Sequence, residues 1–488
     1  MRTQAARWAL SLCVAALALP LSTAWGHGLL RSASPAAQSV LTESPREIRL
    51  IFSEAPELTF TRIRLLGGSG EVTLGELAIL PGKIAVAKIP AELASGEYRV
   101  EWSTAGADGH PVKGQFTFTL RLAGATPAAG AAGGTDAAGA GGATAAAGGT
   151  QSTVPPPAEP SHAAQAGHAS VTNDMGGGMQ TDIFSAILRW LTLAGAIVAI
   201  GAVAFRLTVL ARVSLEVDRE IKTDYLPAAA RGAAIVGLIA AVIVAAVAIV
   251  RLFVQSRAMH GAGAMFDGAL IAPMLTDTNW GRAWLLQMGA ALTAAVSFAA
   301  IHRSRQVAWY VAGVSTAALA VGLALSSHAA SVPRLALPSV VANSIHTVAA
   351  SGWLGNLLVV FFVGLPLAWR LDRDDRWTVI RDVVNAFSPA ALGFGGLAGA
   401  TGVFMAWTHV GSFAALTGTD YGRVLLLKVG LLSVTALTGG YNWLRVRPSL
   451  GDQTGALRLR RTAGIELGIA ALVVAVTAVL VAMPMPMD

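Results

Sequence analysis

From residue 182 onward the chain is a succession of apolar stretches, and this limits its fold more than any other feature. Eight candidate spans can be counted, at roughly 183–211, 226–252, 280–302, 307–328, 339–369, 382–411, 421–444 and 460–483. Each is long enough for a hydrocarbon layer that takes about 20 helical residues to cross. The segment 253–279 is broken by Gly, Pro and Asp and is read as a loop. Over the whole chain 54% of residues are hydrophobic and only 13% are charged, where soluble proteins carry about 25% charged residues. That balance excludes a wholly soluble protein and a largely disordered one.

The basic residues give the spans a direction. Cytoplasmic loops of membrane proteins collect Lys and Arg. The loops after spans one, three, five and seven, with their flanks, hold Arg206, Arg212, Arg219, Lys222, Arg231, Arg303, Arg305, Arg370, Arg373, Arg376, Arg381, Arg445, Arg447, Arg458, Arg460 and Arg461. The opposite loops hold Arg251, Arg257, Arg282, Arg334 and Arg423. Span one therefore starts outside, and an even number of spans puts the C-terminus outside too. The start of the chain agrees. Arg2 and Arg7 precede an apolar run from Ala9 to Pro20, and Ala24 and Gly26 are small residues at the −3 and −1 positions of a cleavage site before His27. Residues 1–26 are read as a signal peptide that directs the region from His27 onward out of the cytoplasm. Net charge is +7, but no Lys/Arg block with interleaved aromatics appears, so no nucleic-acid partner is expected; the lipid bilayer is.

Between leader and spans lie two further regions. In 27–121 apolar and polar residues alternate with period two, as in Ile48, Leu50, Phe52; Tyr98, Val100, Trp102; and Phe116, Phe118, Leu120. Gly67-Gly68, Pro81-Gly82 and Ser95-Gly96 supply turns. The reading is an all-β sandwich or barrel. Residues 122–180 are Ala, Gly, Thr, Ser and Pro with almost no charge, a flexible linker; the membrane part is taken as 181–488.

The only cysteine is Cys13, in the leader. A disulfide, a CxxC pair and a Cys-based zinc site are thereby excluded. Metal ligands must come from His, Met or carboxylates. Export and cleavage would leave His27 with a free α-amine beside its imidazole. Asp108 and His110 are two residues apart and share one face if extended. Together these form a mixed N,O set suited to tetragonal Cu(II). In the membrane part His260, Met259 and Met265 fall in the outer loop after span two. His328 and His409 fall at outer span ends, and His346 about two turns into span five. Met483, Met485 and Met487 end the chain outside. Imidazole and thioether donors together suit copper, Cu(I) especially. Lys428 and Glu466 are ionisable groups inside spans and functional candidates on that ground. No continuous polar route to the cytoplasm can be traced through the inner half of the spans.

These residues resemble a known family. His27-Gly28-Leu29-Leu30-Arg31-Ser32-Ala33-Ser34-Pro35-Ala36, Phe52-Ser53-Glu54 and Asp108-Gly109-His110-Pro111-Val112-Lys113-Gly114 are similar to the periplasmic copper-binding protein CopC. Ser327-His328-Ala329, His346 followed by Trp353-Leu354-Gly355, Tyr421 to Lys428 and Arg461 to Glu466 are similar to the copper resistance membrane protein CopD. The resemblance implies a Greek-key β-barrel for 27–121, Cu(II) on His27, Asp108 and His110, and copper uptake across a bacterial inner membrane. It casts Glu54 as a partner behind the ligands. Residues 27–121 contain no methionine, so the additional Met-rich Cu(I) site of some CopC relatives is not expected. Copper ions and a periplasmic or cytoplasmic copper chaperone are the expected partners, and no enzymatic activity is expected. Two other readings are a copper store or donor without transport, and a haem-binding membrane redox protein.

N-terminal sequencing of the protein purified from membranes should begin His-Gly-Leu. Retention of Met1 to Gly26 in the mature chain would overturn the N-terminal chelate.

Overall fold

The computed structural model describes residues 30–53, 55–68, 70–105, 111–122, 178–216, 219–301, 305–327, 335–450, 453–481 and 483. The leader, His27, Glu54, Asp108, His110, His328, Met485, Met487 and nearly all of the linker lie outside the described residues.

The N-terminal domain consists of β1 (Leu30–Ser34), β2 (Val40–Leu41), β3 (Glu47–Phe52), β4 (Arg62–Gly67), β5 (Gly70–Val72), β6 (Leu77–Leu80), β7 (Ile84–Lys88), β8 (Gly96–Ala105) and β9 (Pro111–Leu120). They form two sheets, ordered β1-β3-β7-β6 and β2-β9-β8-β4-β5. The outcome is a sandwich, one of the two β architectures expected. The period-two residues face inward: Ile48, Leu50 and Phe52 of one sheet pack against Tyr98, Val100, Trp102, Phe116, Phe118 and Leu120 of the other. Phe52 meets Trp102 edge-on at 5.1 Å, and Tyr98 stacks on Phe118 at 5.5 Å. Such ring pairs add to the burial of their area.

The strand register also fixes which residues share an end of the sandwich. Leu30 pairs with Phe52, Arg62 with Ser103, and Ala105 with Pro111. The starts of β1, β4 and β9 and the ends of β3 and β8 therefore meet at one end. The β4–β5 hairpin tip around Gly68 lies at the other.

Among the described residues, eight helices are long and apolar enough to cross a membrane: Phe184–Leu215, Thr223–His260, Asn279–Ala300, Gln306–Leu325, Ala336–Ala368, Asp375–Val410, Asp420–Ser449 and Thr454–Leu480. The number of spans agrees with the sequence reading; their bounds shift. The second helix runs on to His260, so Met259 and His260 end that helix and do not lie in a loop. A short helix, Gly268–Thr276, comes next, started by the Asp267 side chain accepting from the Ala269 N–H. Three spans contain a widened π turn, at Phe205–Leu210, Val360–Gly364 and Asn442–Val446. Such turns often mark functional positions.

Apolar side chains gain nothing by leaving lipid for one another, so membrane helices associate through close backbone approach at small residues. The first and fifth spans cross at Gly201 and Gly355. A Cβ on Gly201 would collide with the Gly355 backbone, and one on Gly355 with the Ile197 carbonyl. Beside this crossing the Asn356 amide donates to Thr208 Oγ1 at 3.2 Å.

Gly355→Leu should therefore force the two helices apart. A loss of at least about 3 kcal/mol is expected, beyond ordinary core overpacking because backbone is in the way. The check is monodispersity and thermal aggregation temperature in detergent; an unchanged profile would contradict the crossing.

Candidate functional site

Polar side chains inside the bundle are not scattered. One cavity of about 800 Å³ is lined by residues of the first, fifth, sixth, seventh and eighth spans and by the outer parts of the second and fourth. It collects four residues singled out from the sequence: His346, His409, Lys428 and Glu466.

The seventh span gives the scale. Tyr421, Lys428 and Asn442 all line the cavity. At 1.5 Å per residue they sit about 10 Å and then about 21 Å apart along the axis. Their sum is about the thickness of a hydrocarbon core, about 30 Å. Each level has partners. At the outer level the Tyr421 hydroxyl is 3.4 Å from His409 Nδ1. At the middle level Lys428 is within electrostatic reach of His346. At the inner level Asn442 donates from Nδ2 to Glu466 Oε1 at 2.6 Å, at the start of the seventh span's π turn.

His346 is held in a definite state. Its Nδ1 lies 2.9 Å from the Ala398 carbonyl and 3.2 Å from Thr401 Oγ1. A carbonyl oxygen can only accept, so Nδ1 carries a hydrogen, and in the neutral ring Nε2 is the nitrogen with the free lone pair. A backbone carbonyl behind the ring is the usual way a metal-binding imidazole is oriented. Gly402 makes room for it: a Cβ there would stand 3.3 Å from His346 Cε1. Thr401, Met405 and His409 recur every four residues on the sixth span, one face of a helix. Met405 lines the cavity with His409. A soft thioether thus stands between the two imidazoles. His409 lies seven residues beyond Gly402, about 10 Å along the axis, so the two imidazoles are anchored at different depths. They are separate stations.

The charge of the lining is one-sided. Arg189, Arg251, Lys428 and Arg447 face Glu466 as the lone carboxylate among the described lining residues. Arg447 is partly engaged, donating from Nε to Asn385 Oδ1 at 2.7 Å.

The remaining candidates lie elsewhere. Met259 and His260 end the second span at its outer side, with Met265 just beyond. The Ser256 hydroxyl is 3.4 Å from His260 Nδ1. Met483 is buried against Val410, Tyr421 and Leu480, at the outer cap of the cavity. No cluster of three or more His, Asp or Glu residues able to hold a metal occurs among the described residues. Sequence reading misses Met405, Asn442 and Arg189, and it takes Tyr421 only as the start of the CopD-like segment and Arg251 only as a loop charge. The Thr401-Met405-His409 spacing is a usable signal for the first.

Comparisons with known proteins agree with this layout. Residues 30–121 match the CopC domain family, residues 179–333 the copper resistance protein D-like N-terminal domain, and residues 381–480 copper resistance protein D. Copper transport protein CutJ of Bacillus subtilis (strain 168) is 24% identical, with 98% of this chain and 78% of that protein covered. Copper resistance protein C of Escherichia coli is 31% identical over 20% of this chain and 85% of its own length. Protein YobA of Escherichia coli (strain K12) is 30% identical over 24% of this chain and 94% of its own length. Among solved structures, CopC from Methylosinus trichosporium OB3b is 29% identical, covering 21% of this chain and all of that one, with a TM-score of 0.20.

Removing the imidazole should empty the middle station. In a His27→Ala background that silences the N-terminal chelate, His346→Ala should weaken Cu(I) retention at least about tenfold, the scale seen when metal-site partners are removed. Lys428→Gln removes a neighbouring positive charge and should strengthen it. Copper content after equilibrium dialysis against a Cu(I) chelator reads both, and equal retention in all three proteins would remove His346 from the site.

Proposed function

The chain belongs to the copper resistance family that joins a CopC domain to a copper resistance protein D membrane part, and on that premise we propose that it captures Cu(II) outside the inner membrane and carries copper inward. Capture rests on His27, Asp108 and His110, with Glu54 behind them. In this reading the N-terminal domain and the C-terminus are periplasmic. The distribution of Arg and Lys supports that orientation, and so does the placement of the sandwich against the loop between the second and third spans.

One observation carries the transport reading: polar groups of one cavity form steps from His409 and Tyr421, through Met405, His346 and Lys428, to Asn442 and Glu466. Asn442 and Glu466 carry polar groups of this cavity to the inner end of the bundle, where the bare sequence offers no route. The donors are neutral imidazole and thioether, and the surrounding charge is positive. Coulomb repulsion scales with the charge of the ion. A monovalent ion is repelled half as strongly as a divalent one, and it also prefers these soft ligands. These features favour Cu(I) as the ion that crosses, so Cu(II) released by the sandwich takes up one electron from a donor outside this chain before entry. Glu466, near the inner end, is the one carboxylate that attracts the ion onward. The chain contains no Walker A sequence, so nothing in this reading draws on ATP.

Cellular copper accumulation tests the proposal. Deleting residues 183–488 should abolish the uptake that the full chain supports, and Glu466→Leu should reduce it severalfold while Cu(II) binding by the sandwich is retained. Unchanged accumulation in the deletion would defeat transport. Absence of copper flux in proteoliposomes, with intact Cu(II) binding, would favour the store or donor instead.

A further inference from the structure

Phe60 and Ala105 are buried, yet neither belongs to the core of the sandwich. They pack instead with Ala248 and Leu252 of the second span, Met274 of the short helix after it, and Trp280 and Trp284 of the third span. Ala105 is 0% and Phe60 4% exposed, so the contact shuts out water. The receiving surface is rigid: the Trp284 indole donates to the Ala248 carbonyl at 2.8 Å, and Thr278 caps the third span by accepting from the Gly281 N–H. A polar contact fixes the orientation. Glu57 Oε1 accepts from the Asn279 N–H at 3.2 Å, at the first turn of that span, where a carboxylate is favoured by the exposed amides and the helix dipole.

The presenting loop is tied to β8. The Glu57 N–H donates to the Ala105 carbonyl at 2.9 Å, and Thr61 Oγ1 lies 2.8 Å from Thr104 Oγ1 while also donating to the Glu57 carbonyl. This is the end of the sandwich where β1 and β9 begin and β8 ends. The expected copper ligands attach to those strand ends, His27 three residues before Leu30 and the other two between Ala105 and Pro111. Across the contact, Met259 packs against the same cluster, and His260 lies within electrostatic reach of Arg62 of β4.

We propose that the outer ends of the second and third spans are a docking seat for the chain's own β-domain, engaged through Glu57, Phe60 and Ala105, and that the seated domain passes its copper to the bundle beside Met259 and His260. The hand-over rests on the transport reading; the seat does not. Among the described residues the contact falls on one loop and the strand ends beside it, small for a free complex. The linker supplies the missing affinity by raising the effective concentration of the domain at its seat. Docking is therefore reversible, leaving the domain able to load and return.

The chain's single cysteine makes the test clean. In a Cys13→Ser background carrying a protease site in the linker, Glu57→Cys with Asn279→Cys should be joined by a short bis-maleimide in membrane vesicles. The two halves should then stay together after cleavage on a denaturing gel. The control pair Gly68→Cys with Asn279→Cys, using the far end of the sandwich, should fall apart. Cleavage products that separate equally in both pairs would overturn the seat. Hand-over is read separately. Phe60→Asp with Glu57→Lys should lower copper uptake about tenfold with Cu(II) affinity of the domain unchanged, and uptake equal to the parent chain would overturn it. If the unaltered chain moves no copper while the first pair crosslinks, transport fails and the seat stands.

Discussion

Hydrocarbon offers no hydrogen bonds. A polar side chain on a membrane helix must find its partners inside the protein, and leaving it without them is costly. That constraint arranges the membrane half of this chain. The Asn442 Nδ2 donates to Glu466, His346 meets the Ala398 carbonyl and Thr401, Gln287 the Gly322 carbonyl and Ser326, and Asn343 Ser327. None of these pairs is local in sequence, and each joins two different helices or their ends. The same bonds that make polar residues tolerable in lipid also lock the helices that frame the cavity. The polar lining of the cavity and the packing of its helices are one set of interactions.

The glycine crossing serves the same arrangement. Gly201 and Gly355 bring the first and fifth spans to backbone contact, and Asn356 and Thr208 bridge them close by. His346 lies nine residues before Gly355 on the fifth span. Its ring then reaches the sixth span at Ala398, Thr401 and Gly402. A small residue at each crossing decides how near two helices come, and that nearness decides whether an imidazole can span the gap to a carbonyl. Substituting any one of these positions would move the others, because helices are stiff over this length.

Much of the architecture can be read from the sequence because its signals are local. A span declares itself by about 20 apolar residues, and the strands of the sandwich by alternation at Ile48, Leu50, Phe52 and at Phe116, Phe118, Leu120. The individual candidates His346, Lys428 and Glu466 are visible for the same reason: an ionisable group in an apolar run stands out within a window of a few residues. Their convergence is not visible. It depends on which spans are neighbours and how each is rotated, and eight similar apolar helices carry little information on either point. Met405 illustrates the limit. Within an apolar helix a methionine resembles any core residue, and only His409 four residues on and Thr401 four residues back place it on the face that meets the cavity. The second span shows a different limit. Gly261 ends it with φ at +88°, whereas hydropathy fades several residues earlier, so the sequence alone puts Met259 and His260 in a loop.

The distribution of charge separates the two halves in a way that fits two oxidation states of one metal. The expected ligands of the sandwich are an amine, imidazoles and a carboxylate, hard and borderline donors that favour Cu(II). The cavity reverses that character. Its described lining has four basic side chains against Glu466, and its central donors are imidazole and thioether. A net positive lining with soft donors would penalise Cu(II) more than Cu(I). A bundle lined by several carboxylates would accept either ion, along with magnesium and calcium. One carboxylate against four basic side chains among the described lining residues would favour an ion whose bonds to nitrogen and sulfur outweigh the repulsion. Selectivity in this arrangement comes from repulsion as much as from binding.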